Sequence, residues 1–286
     1  MEIEKTAEYI GYGKLANILL KASKPLRSLS KKIKRQADLL YFEQYKMKFG
    51  QRDSDIYIVS YPKSGTTLTQ MILYQLTTDG SMDFDHIYDV SPWIRNASFM
   101  KQDVHDLPSP RIIKSHDLIK GFDKDMKGRI LHVYRNGMDV AVSLYHQNLN
   151  YNNPNLDFDK FIQEFTEQEG WAKFNKVWFQ NKKKLPVLHI KYEDLLADKK
   201  REIERIIRFC DLKPSNIQLQ RALEMSEFEE MKKYEEKFGD KAPEKKKVYD
   251  QFIRNGKIGE GKAKLNEEQQ KRFTASYNKH LSSLLK

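Results

Sequence analysis

The chain has 286 residues, 39% of them hydrophobic and 12% aromatic, with a formal net charge of +11 and a single cysteine, Cys210. That length and apolar content supply a sizeable core and exclude an intrinsically disordered chain, while one cysteine excludes an internal disulfide and a cysteine-rich zinc site. No apolar run approaches the roughly 18–20 residues that span a bilayer, and a reducing, intracellular (cytoplasmic) setting is expected.

The chain opens Met-Glu-Ile-Glu-Lys, which lacks the basic and then apolar pattern of a secretory signal. Residues 8–48 read as helical in two segments separated near Pro25, so residues 1–48 are expected as a helical extension and 49–286 as one domain. Residues 1–50 carry eleven Lys/Arg against five Asp/Glu, a local excess of +6, densest at Lys31-Lys32-Ile33-Lys34-Arg35. A solvated helix face accounts for that cluster. A peripheral contact with anionic lipid is the alternative, because Leu15, Ile18, Leu19 and Leu20 precede it. Nucleic acid is not among the expected partners.

Residues 56–72 read as a buried strand (Ile56, Ile58, Val59), a tight turn at Pro62 and a helix carrying Leu68, Met71, Ile72 and Leu76. The helix would begin with Ser64, Gly65, Thr66 and Thr67, whose N–H groups and hydroxyls converge on one spot. Unpaired N–H groups and the macrodipole favour an anion there, and Lys63 adds a full charge. The nucleoside-triphosphate loop G-x-x-x-x-G-K-[ST] is absent, because Lys63 precedes Gly65.

Residues 79–108 read as a polar, irregular insert of the kind that often shapes a substrate site. Arg111–Lys114 is a second strand leading into Ser115-His116, and Ile130–Tyr134 a third, feeding a helix from about Met138 to Leu149. Residues 157–184 carry one long helical pattern. Val187–Tyr192 is a fourth strand, followed by a helix over about 199–210. Strands alternating with helices predict an α/β fold with a mainly parallel sheet flanked by helices. Ligands of such sheets sit beyond the carboxyl ends of the strands. Lys63, His116 and Arg135 each follow directly on a strand, so all three are placed at one crevice.

Arg135 offers a planar fork for phosphate oxygens, and Ser143 lies eight residues on in the next helix. His116 suits proton removal near neutral pH, and Lys114 brings a second charge beside it. His132 and His189 lie inside apolar strands and read as structural, and His146 is unassigned. The seven histidines show no metal-ligand spacing, and no metal is expected. The glycine-rich, basic segment Phe252–Lys262 can fold over a phosphate with backbone N–H groups.

Tyr61-Pro62-Lys63-Ser64-Gly65-Thr66-Thr67 resembles the 5′-phosphosulfate loop of the cytosolic sulfotransferases, which use 3′-phosphoadenosine 5′-phosphosulfate (PAPS). Tyr134-Arg135-Asn136 with Asp139-Val-Ala-Val-Ser143 is similar to that family's 3′-phosphate motif. Arg254–Lys262 is similar to its Arg-Lys-Gly-x-x-Gly-Asp-Trp-Lys loop, with Asn255 for lysine, Glu260 for aspartate and Gly261 for tryptophan. Lys114-Ser115-His116 resembles the Lys-Thr-His element that carries the catalytic base. Ser226-Glu227-Phe228 resembles the Thr-Ser-Phe segment whose phenylalanine stacks on adenine, and Tyr192 stands where the family has a tyrosine beside the base. Leu68 replaces a tryptophan and keeps an apolar lid without its stacking face.

The resemblance implies a PAPS-dependent sulfotransferase with a P-loop-like nucleotide fold. Its base would be His116, with Lys63 and Lys114 as charges on the transferring group. The donor would be held by Lys63, Ser64, Gly65, Thr66, Thr67, Leu68, Arg135, Ser143, Tyr192, Ser226, Phe228, Arg254, Asn255 and Gly256. The expected acceptor is a small alcohol, phenol or sterol, or an amine. A carbohydrate or lipid headgroup is the alternative, and a non-catalytic protein binding nucleotide or anionic lipid the more distant one. The family's C-terminal dimer motif is not recognisable, so the oligomeric state stays open; Asn266 and Gln269 read instead as a helix cap.

Overall fold

The four apolar runs form four strands in the computed structural model, which describes residues 49–100, 102–151, 153–239 and 252–285 together with Leu29, Ser30, Ile33, Phe42 and Tyr45. Strands β1 (Ile56–Ser60), β2 (Ile112–Ser115), β3 (Arg129–Tyr134) and β4 (Val187–Lys191) lie in the order β2-β1-β3-β4, all paired in parallel. β1 is buried at every position and β2 likewise, whereas the edge strand β4 is half-buried. Helices on both faces explain why β1 is a continuous apolar run rather than an alternating one.

The helices are α1 (Thr66–Thr77), α2 (Ile87–Val90), α3 (Ile94–Met100), α4 (Gly137–Tyr151), α5 (Phe158–Gln168), α6 (Gly170–Gln180), α7 (Tyr192–Ala197), α8 (Lys199–Cys210), α9 (Asn216–Met225), α10 (Phe228–Lys233), α11 (Glu260–Lys264) and α12 (Glu267–His280). The insert expected to be irregular thus contains two short helices, α2 and α3. His86 starts α2 with a capping box closed by Asp89. The single pattern over 157–184 resolves into α5 and α6, because Glu169 adopts φ 52° and turns the chain. Its carboxylate receives Lys279 Nζ at 3.0 Å, which ties the turn to α12. The Asn266–Gln269 cap of α12 is present as read from the sequence.

Packing fixes the elements that carry the site. α1 lies against α9, whose Arg221 Nη2 donates to Gln75 O (2.8 Å) and Thr78 O (2.7 Å), satisfying carbonyls at the C-terminal end of α1. Asp55 and Arg111, just before β1 and β2, form a fully buried bidentate pair at 2.8 and 2.7 Å. Trp178 is fully buried with Ile58, Ile72 and Ile130 among the core side chains.

The chain falls into two compact units, residues 51–94 with 104–286, which carry the sheet, and residues 1–50 with 95–103. In the smaller unit Tyr45 OH donates to Gln102 O at 3.0 Å, and the Arg95 guanidinium lies 4.4 Å above the Phe42 ring. The expected helical extension, its break at Pro25 and its basic cluster lie, except for five residues, outside the described residues. No helix among the described residues is long and apolar enough to cross a membrane.

Candidate functional site

The turn from β1 into α1 is a strained one. Lys63 adopts φ 69°, a left-handed conformation that costs a non-glycine residue of order 1–3 kcal/mol. Gly65 follows at φ 104°, and a Cβ there would stand 2.6 Å from Tyr192 Cδ2, so only glycine fits. No side chain caps the first turn of α1, so its N–H groups are left to face the cavity. Beneath the loop Ser60 Oγ and Thr66 Oγ1 share a hydrogen bond of 2.6 Å. Ser64 is buried rather than on the wall, and its Oγ has no hydrogen-bond partner.

His116 stands across the same loop. Its Nδ1 lies 2.7 Å from Ser60 O, which can only accept, so Nδ1 carries the proton and Nε2 is the acceptor. Burial pushes the imidazole pKa down to about 3, helped by the nearby Lys114 charge and opposed by the bond to Ser60. Near neutral pH the ring is therefore uncharged. Ser60 joins the two halves of the site, since its hydroxyl braces the β1–α1 loop and its carbonyl orients the His116 imidazole. Lys114 Nζ donates to Tyr88 OH at 2.7 Å and lies 5.0 Å over the Trp93 ring. Trp93 in turn meets His116 edge-on at 5.5 Å.

Arg135 leaves β3 with its guanidinium 4.5 Å above the Tyr192 ring. Its Nη2 donates to Lys257 O at 2.9 Å and lies 3.6 Å from Asp139 Oδ2, while Nε is buried without a partner. Asp139, in the first turn of α4, accepts from Gly259 N (2.9 Å) and Gly261 N (2.7 Å), which fastens the glycine-rich segment over the site. A Cβ at Gly261 would lie 2.3 Å from the Met138 carbonyl carbon, which explains glycine in place of tryptophan. In that segment Arg254 forks onto Glu260, with Nη1 to Oε1 at 2.8 Å and Nη2 to Oε2. This pairing, with Lys264 and Asn255, pulls the Glu260 carboxyl down to about 2 against the opposing effect of burial. Gly256, at φ 61°, packs so closely on Phe228 that a Cβ would approach its ring to 2.2 Å.

These pieces surround one cavity of about 790 Å³. Lys63, Gly65, Thr66, Thr67 and Leu68 line it from the anion loop, and Lys114 and His116 from the end of β2. Arg135, Ser143, Tyr192, Ser226 and Phe228 line it from the other helices, and Arg254, Asn255 and Gly256 from the glycine-rich segment. Of the residues expected from sequence only Ser64 is missing from the wall. Sequence reasoning did not find Trp93, Gln147, Asn148 or Lys199, which also line it. Trp93 had no motif around it; its place comes from a parallel bridge to Lys114.

His132 and His189 lie outside the cavity and act structurally. Asn175 donates to Trp171 O (2.8 Å), so its Oδ1 faces His132 Nε2 (3.1 Å) and must accept from it. His132 Nδ1 then accepts from His189 Nδ1 at 2.9 Å. Burial lowers both pKa values, His189 to about 4. His146 Nε2 accepts from Lys264 Nζ at 3.0 Å. Among the described residues no group of three or more His, Cys, Asp or Glu side chains is placed to hold a metal ion.

Residues 53–284 match the family described as the sulfotransferase domain. Sulfotransferase 1E1 of Mus musculus is 30% identical over 260 residues, covering 84% of this chain and 88% of its own. Two solved structures share the architecture. Mouse sulfotransferase SULT7A1 complexed with PAP has a TM-score of 0.62 at 20% identity, covering 81% of this chain and 84% of its own. Retinol dehydratase in complex with androsterone and inactive cofactor PAP has a TM-score of 0.63 at 23% identity, with 82% of each chain covered. At those identities the structural likeness concerns the fold.

Proposed function

The chain belongs to the sulfotransferase domain family, and from that premise we propose that it moves a sulfonate group from PAPS to a hydroxyl or amine of a small-molecule acceptor, with His116 as the base. The observation that carries this reading is the sharing of Ser60 between an anion loop and a neutral histidine in one cavity. Neither half alone would distinguish transfer from binding.

The residues present fit the donor. The α1 N-terminus with Lys63, Thr66 and Thr67 suits its 5′-phosphosulfate, and Arg135, Ser143, Arg254 and Gly256 suit a 3′-phosphate. Arg135 lines the cavity and its buried Nε has no intrachain partner, an unspent donor that a phosphate-rich ligand there would complete. Tyr192 and Phe228 offer faces for the base. When bound, PAPS supplies a sulfonate on a phosphate leaving group.

The chain's own residues supply the rest. His116 Nε2 takes the acceptor's proton, and the bond from Nδ1 to Ser60 O holds the ring and spreads the charge it gains. Lys63 and Lys114 concentrate positive charge where negative charge builds. Trp93, Leu144, Phe252 and Ile253 give the cavity an apolar wall that suits a phenol, sterol or other hydrophobic alcohol. Gln147 and Asn148 are the feature that keeps a sugar or headgroup as the second reading. A cytoplasmic location belongs to the same proposal.

Sulfur-labelled PAPS offered with a panel of alcohols, phenols, sterols, amines and sugars tests the reading. Wild type should label at least one acceptor, and His116→Ala should lose about 10²–10⁴-fold in turnover. Unchanged turnover in His116→Ala would remove the histidine from the mechanism. Bisphosphate binding without label on any acceptor would favour the non-catalytic alternative.

A further inference from the structure

A charged pair on the cavity wall plays no part in the chemistry above. Lys199, the first residue of α8, has a side chain only 11% exposed. Its Nζ donates to Ser226 O at 2.9 Å and to Glu227 Oε1 at 2.7 Å. A cation in the first turn of a helix opposes the macrodipole, and fixing a lysine side chain costs rotamer entropy. Local preference does not explain this placement. Both partners line the cavity, flanked by Ser226 and Phe228.

Sheet topology separates the strand ends that feed the cavity. β2 and β4 are the outermost strands, three spacings or about 14 Å apart. His116 follows β2, whereas Tyr192 and then Lys199 follow β4. Lys199, tied to Ser226 and Glu227, stands directly beside Phe228, one of the rings assigned to the nucleobase. Glu227 occupies the position at which the resembling Thr-Ser-Phe segment has serine.

We propose that Lys199 and Glu227 together read the base of the nucleotide donor, the ammonium donating to a ring nitrogen and the carboxylate accepting from the amino group beside it. The proposal rests on the PAPS reading of the cavity. An ammonium has three N–H donors, of which two are spent within the chain, and the carboxylate keeps acceptor capacity beyond its bond to Lys199. Adenine places its amino donor between ring-nitrogen acceptors, so a donor beside an acceptor matches either edge. A 6-oxo purine presents a carbonyl where the amino group stood, and that carbonyl would face the Glu227 carboxylate. Arg135 and the α1 N-terminus pin the two phosphates, which stops such a base from sliding into a better register.

The test is calorimetric titration of adenosine 3′,5′-bisphosphate and inosine 3′,5′-bisphosphate into wild type, Lys199→Met, Lys199→Arg and Glu227→Ala. Wild type should prefer the adenosine compound by about tenfold or more, as expected when a mismatched base leaves polar groups unpaired. Lys199→Met and Glu227→Ala should reduce that ratio to about threefold or less, chiefly by losing adenosine affinity, and Lys199→Arg should restore part of it. The side chain of Glu227 is 64% exposed, so its alanine variant should fold and keep the test open. Equal weakening of both compounds in the variants would make the pair a structural tie and overturn the proposal, as would a wild type that does not discriminate. Failure of wild type to bind either bisphosphate would instead overturn the donor reading itself.

Discussion

His116 shows how one backbone contact decides the chemistry of a side chain. Its ring is neutral because burial and Lys114 disfavour the cation, and its tautomer is set by Ser60 O. With His116 as the proposed base, the acid limb of kcat/KM, which reports the free enzyme, should therefore fall below about pH 5 rather than near the ordinary histidine value of about 6.5. Lys114→Met removes one of the two depressing influences and should move that limb upward. A pH profile of kcat/KM for both proteins checks this, and a limb at 6.5 in wild type would contradict it. Lys63, His116 and Arg135 were legible in the sequence because each directly follows an apolar strand. Trp93 and Lys199 were not, since a bridge to Lys114 and a tertiary tie to Ser226 position them.

The strands and the βα units were legible because period and composition change sharply at their ends. What could not be read were events that depend on contacts from elsewhere in the chain. The break between α5 and α6 follows from a left-handed Glu169 held by Lys279, and neither residue signals a helix end on its own. Asp55 and Arg111 are another such case, 56 positions apart and fully buried together. They anchor the first residues of β1 and β2, and Ile56 N donates to Arg111 O at 2.9 Å. Arg111→Met leaves a carboxylate buried without its partner and should cost about 3–5 kcal/mol. Urea denaturation would show this as a lower midpoint at unchanged slope. A loss under about 1 kcal/mol would mean that water reaches Asp55 and that the pair contributes little to the register of the sheet.

At the scale of the whole molecule, the parallel sheet gathers groups from the ends of all four strands into one cavity. A motif reading could foresee that gathering only through strand topology. The net charge of +11 acts on the same cavity, since a basic protein concentrates polyanionic ligands at low salt. Ionic strength must therefore be held fixed when ligands of different charge are compared. The most direct measurement is a calorimetric titration of adenosine 3′,5′-bisphosphate into wild type and Arg135→Ala, with ATP as the control ligand. The account predicts tight binding of the bisphosphate, weaker binding of ATP, and a loss of about 1.5–3 kcal/mol in the mutant, as for a charged hydrogen bond. Binding of ATP as tight as that of the bisphosphate, or no effect of Arg135, would contradict it.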